Sequence, residues 1–153
     1  MAVEVKWLYP PNWDKTEQQV EGYRRAVIQI VEPEDDGNDL DELKVLDIST
    51  ILTKAGLPTT RTVLEKYEYD VRGYAFVKVL WERNPRVVML HLTGSQMGQH
   101  DYREVGGIVD PGEEGDGTGD LLVSTAGATS GDSFRITLYL KLKDSAPAPI
   151  QGA

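Results

Sequence analysis

A chain of 153 residues with 25 acidic and 16 basic side chains, net charge −9, has the length of one domain and little left for a second core. That charge argues against a general nucleic-acid binder, which neutralises phosphates with Lys and Arg, and against docking on anionic lipid. Cysteine is absent, so disulfides, thiolate chemistry and Cys-ligated zinc are excluded.

Val3, Val5 and Trp7 alternate with Glu4 and Lys6, which predicts a short first strand ended by the pair Pro10-Pro11. This start lacks the basic-then-apolar form of a signal peptide, and no apolar run approaches the roughly 20 residues of a membrane span. Synthesis in a cytoplasm without a cleaved export signal is the expectation. Residues 12–21 are polar and offer at most one helical turn, with Asp14 as its cap. Residues 23–31 read as a second strand, followed by an acidic loop at 32–42 and a third strand at 43–48, or one that turns at Asp47. The stretch 49–60 is ambiguous and allows one helical turn at 50–55, with Gly56 as its stop and Pro58 beyond. Residues 62–71, 74–81 and 87–93 make strands four to six, separated by Gly73 and by Asn84-Pro85.

Residues 94–118 form the one long irregular stretch, glycine-rich and past the roughly 15 residues beyond which a loop in a compact domain is usually functional or disordered. Beyond it, 121–125 is a short strand. Phe134, Ile136, Leu138, Leu140 and Leu142 then alternate with Arg135, Thr137, Tyr139, Lys141 and Lys143 in a long one, with five apolar side chains on one face. The small residues between them predict a β-hairpin. Eight short strands without a long helix predict an all-β fold, an antiparallel sandwich or barrel, over residues 1–144. Residues 145–153, rich in Pro and Ala, predict a flexible C-terminal arm.

Candidates for chemistry are weak. The acidic runs 35–42 and 110–120 invite calcium, because hard cations take clustered oxygens, but neither has EF-hand spacing. Ser95, His100 and Asp101 lie close in sequence without the Gly-x-Ser-x-Gly elbow that presents a nucleophile. Glu65, Glu68 and Asp70 fall where a strand's wet face would place them, and a glycosidase pair would need a cleft. Trp7, Tyr9, Trp13, Tyr67, Tyr69, Tyr74 and Trp81 suit strand cores and edges as readily as a sugar platform. The sequence therefore predicts no enzyme, no cofactor and no metal site.

One resemblance does emerge. The run Gly119-Asp-Leu-Leu-Val-Ser-Thr125, followed by Thr129-Ser-Gly-Asp-Ser-Phe-Arg-Ile-Thr-Leu-Tyr-Leu-Lys141, resembles a group of small virion proteins of tailed bacteriophages. Val79-Leu-Trp81, Leu92-Thr-Gly94, Asp101-Tyr-Arg103 and Gly106-Gly-Ile108 extend it over the second half of the chain. The acidic insertion Glu113-Glu-Gly-Asp116 departs from the pattern. The resemblance implies a head decoration or cement protein with a jelly-roll-like β-sandwich, often trimeric. Such a protein sits on the outer surface of the capsid, with the major capsid protein as partner. It needs contact surfaces and no catalytic site. Strand addition by an extended terminus makes Trp7 and Tyr9 contact candidates. In the long loop His100, Asp101, Tyr102 and Arg103 are the others, since Tyr and Arg commonly anchor interfaces. The competing expectations are a tail or neck protein of the same virion, a calcium- or carbohydrate-binding adhesion module, and a small hydrolase acting through His100.

Overall fold

The computed structural model describes residues 3–9, 24–33, 36–112 and 115–144. The polar segment 12–21 and the arm 145–153 lie outside them. The described residues form ten strands: β1 (Glu4–Tyr9), β2 (Arg25–Glu32), β3 (Leu43–Leu46), β4 (Arg61–Arg72), β5 (Phe76–Trp81), β6 (Val87–Thr93), β7 (Gln96–Asp101), β8 (Ile108–Val109), β9 (Leu121–Ala126) and β10 (Ser133–Lys143). The larger sheet runs β1-β2-β10-β4-β7, with β8 also paired to β4, and the smaller runs β3-β9-β5-β6. Every pairing is antiparallel. With β1 and β8 set aside, the remaining eight strands interleave between the sheets in the order of a jelly roll.

The core lies between the sheets because the long alternating strand stands at the centre of the larger one. Ile136 is opposite Ile30 on β2, and Leu138 is opposite Ile28. All four are fully buried, as are Val77, Val79 and Val123 on the facing sheet. Trp81 joins the layers, its indole N–H donating to Thr62 Oγ1 at 2.9 Å. Each such aliphatic side chain contributes about 1.5–3 kcal/mol of burial, enough to make register the strongest constraint on these strands.

Three expectations are corrected. The predicted hairpin does not exist: β9 pairs β3 and β5, while β10 pairs β2 and β4, so residues 127–132 carry the chain from one sheet to the other. Alternation reports which face is buried, and both strands bury a face against the same core from opposite sides. The turn at 50–55 is instead a 3-10 turn at Ile48–Thr50, capped by the Asp47 carboxylate on the Ser49 amide at 3.1 Å. Gly56, at φ +80°, closes a separate turn held by the Leu52–Pro58 bridge. Finally, residues 94–118 are less irregular than expected, since they contain β7, a 3-10 turn at Arg103–Val105 and β8. The reason is a partner rather than a pattern: β4 is 12 residues long, and β7 and β8 occupy successive parts of its free edge.

Candidate interaction surface

β7 closes one edge of the larger sheet, and all six of its residues are exposed. Edge strands offer a row of backbone donors and acceptors to any incoming strand, and proteins usually guard them with Lys, Pro or a bulge. Gln96-Met-Gly-Gln-His-Asp101 has neither Lys nor Pro, and its register with β4 is unbroken. Met97, 72% exposed, stands on the outer face opposite Asp70. Val105, 78% exposed, follows in the 3-10 turn.

The inner face of this edge holds an aromatic cluster. Tyr67 and Tyr69 alternate onto that face of β4, with His100 opposite Tyr67 and Gly98 opposite Tyr69. A Cβ at Gly98 would stand 3.1 Å from the Tyr69 hydroxyl, so the glycine lets the ring lie across β7. The His100 ring stacks on Tyr69 and Tyr102, with interplanar angles of 8° and 16°, and its centroid is 5.3 Å from that of Tyr67. Tyr67 is nearly buried. Burial pushes its phenol well above the ordinary range, and a hydrogen bond with Tyr102 adds to the shift.

Asp101 points the other way. Strand alternation places it beside Lys66 on the outer face, where its carboxylate accepts from the Arg103 amide at 3.0 Å and from Nε at 2.9 Å, and also pairs with Nη2. The Arg103 guanidinium lowers the Asp101 carboxyl to about 2. Thus His100 and Tyr102 belong to the aromatic face, and Asp101 and Arg103 to an exposed ion pair. Trp7 and Tyr9 do not join them. They lie on β1 at the opposite edge of the same sheet, four strand spacings or about 19 Å away. Trp7 faces inward opposite Ile28, and Tyr9, 48% exposed, follows a bulge.

The same alternation dismantles the hydrolase arrangement, because it puts His100 and Asp101 on opposite faces of one strand. The Ser95 hydroxyl accepts from the Gly73 amide at 2.9 Å. In the second acidic run Asp110 and Asp120 are likewise engaged. Asp110, fully buried, receives Arg83 through Nε at 3.0 and 3.1 Å and through Nη2 at 2.6 Å, and the Gly112 amide at 2.9 Å. Asp120 accepts from the Ile48 amide at 2.9 Å and pairs with Lys44 at 3.0 Å. Among the described residues no group of three or more His, Asp or Glu is placed to hold a metal ion.

Sequence reasoning passed over Tyr67 and Tyr69 as interface elements, although their i, i+2 spacing on a strand signals a shared face. It had no signal for Arg83, whose partner lies 27 residues away. No family model matches the chain, and no curated protein or solved structure matches it.

Proposed function

We propose that this protein is a non-catalytic interaction module, and that it acts as a bacteriophage head decoration protein that binds the outside of the assembled capsid and bridges its subunits. The observation that carries this reading is the unguarded β7 edge, six exposed strand residues including Met97 and His100, with Val105 and the Tyr67, Tyr69 and Tyr102 rings beside them. Such an edge suits strand addition by a partner, with backbone hydrogen bonds giving affinity and flanking side chains giving specificity. Bridging needs two separated contacts on one rigid body, and β1, with Trp7 and Tyr9, supplies the second at the far edge of the same sheet. Contacts made only to the assembled lattice stabilise it by mass action, and many equivalent copies add through multivalency. The phage-like motifs of the C-terminal half supply the choice of partner, the major capsid protein, and of a trimeric assembly.

The test is to mix the purified protein with expanded phage heads lacking decoration, then measure co-sedimentation and the temperature of head disruption. Saturable binding with a higher disruption temperature is the expected result. Binding confined to tails or necks, or to no part of the virion, overturns the head assignment.

A further inference from the structure

The basic residues of this acidic chain are distributed unevenly. Lys6, Arg25, Lys44, Lys66, Arg72, Arg83, Arg86 and Arg103 stand in ion pairs. Of the other seven described cations, Lys78 lies over the Phe76 ring and Arg135 is on the outer face of β10. The remaining five, Arg24, Lys54, Arg61, Lys141 and Lys143, all line one groove of about 580 Å³ at the end of the sandwich. Its walls are the start of β4, the end of β10 and the turn around Lys54. Arg61 is anchored to the Gly112 carbonyl, and Asp144, the one acidic residue of the lining, accepts from Thr53 Oγ1 at 2.8 Å.

We propose that this groove is a docking site for an extended, carboxylate-rich polypeptide segment of a partner protein. The site is distinct from the β7 edge, and the inference does not depend on the virion assignment. Five cations lining one groove with a single carboxylate among them repel one another, and a bound polyanion offsets that repulsion. The Lys143 ammonium is disfavoured first by its partial desolvation and then by Lys141, with Asp144 and Glu65 acting in the opposite sense. The choice of ligand class follows from the rest of the lining. Val63, Val109, Ala55 and Leu142 give it apolar surface for side chains. Among the described residues no aromatic ring lines it to stack a base, as single-stranded nucleic-acid sites require. The net charge of −9 also opposes a long polyphosphate, whose charge extends past the groove, more than a short acidic segment.

Fluorescence anisotropy with a labelled oligoglutamate peptide, at about 50 mM salt where screening is moderate, tests this directly. The full chain is compared with Lys54→Glu/Lys143→Glu in the groove and with Arg72→Glu/Arg135→Glu at the far end of the larger sheet. The two variants change net charge equally, and all four positions are exposed. The expected result is saturable binding, weakened at least about tenfold by the groove variant and little by the distant one. A milder Lys141→Gln variant, with melting monitored, gives an intermediate loss and separates binding from folding. Absence of binding, equal loss from both charge reversals, or tighter binding of oligothymidylate or anionic vesicles than of oligoglutamate would overturn the proposal.

Discussion

At the level of single residues, the Tyr67 phenol shows how a fold reads out burial as proton affinity. Its neutral form is favoured by desolvation and by Tyr102, so its folded value lies above the ordinary 10.0. The sign follows from proton counting. Between the unfolded and folded values the native state holds one proton more than the unfolded chain, so stability falls as pH rises through that window and is unaffected below it. Of the seven tyrosines, Tyr67 is expected to ionise after the exposed ones. A spectrophotometric titration of the native protein around pH 11 should fall short of the full phenolate signal, with the Tyr67 ring part of the shortfall. Tyr67→Phe should shrink that deficit by one ring, and an unchanged deficit, or a parent titration that reaches full amplitude with the fold intact, would refute the assignment.

Among the elements, the described parts of the loop after β8, residues 110–112 and 115–120, are tied down by an ion pair buried on both sides. Arg83 and Asp110 have side chains only 4% and 0% exposed, and Arg83 also donates to the carbonyls of Gly117 and Thr60 at 3.2 and 3.3 Å. The glycines are there for closeness. A Cβ at Gly112 would stand 2.1 Å from Arg83 Nε, and one at Gly117, where φ is +90°, 2.3 Å from the Glu82 carbonyl oxygen. Breaking a buried pair leaves an uncompensated charge, so Arg83→Met should cost about 3–5 kcal/mol. Arg83→Met/Asp110→Leu should recover much of that loss, because the desolvation penalty goes with the charges. Urea unfolding of the three proteins measures both, and a double variant no more stable than the single one would show that the loop depends on hydrogen bonds alone.

Legibility from sequence divides along the same physical line. Faces were legible, because alternation is a local signal: Phe134 to Leu142 on β10, the outward Glu68 and Asp70, and the sandwich class all follow from period two. Neighbours were not. The β9–β10 hairpin failed because its connection has the same small, glycine-containing composition whether the chain turns back or crosses to the other sheet. β7 went unread because Gln96-Met-Gly-Gln-His-Asp101 has little apolar alternation; it is a strand on account of the free edge of β4. The contact candidates at 100–103 form one group in the sequence, whereas strand geometry sends His100 and Asp101 to opposite faces.

For the whole molecule, the jelly roll leaves a rigid body whose larger sheet ends in two separate edges, and these ask for different tests. If β7 is the edge that docks, a positive charge there should act as natural edge guards do, opposing strand addition without disturbing the core. Met97→Lys is suited to this, since the side chain is largely in solvent and exposed substitutions away from special features usually stay within about 0.5 kcal/mol. Its melting temperature should match that of the parent, while its affinity for expanded heads should fall at least about tenfold, or about 1.4 kcal/mol. Tyr9→Lys on β1 is the counterpart. If the two edges bridge neighbouring subunits, each variant should still bind weakly through the other edge but lose the rise in disruption temperature, because a lattice is reinforced only when one molecule holds two subunits at once. Loss of reinforcement with Met97→Lys alone would make β7 the sole docking edge, and full reinforcement by both variants would move the contact away from the larger sheet altogether.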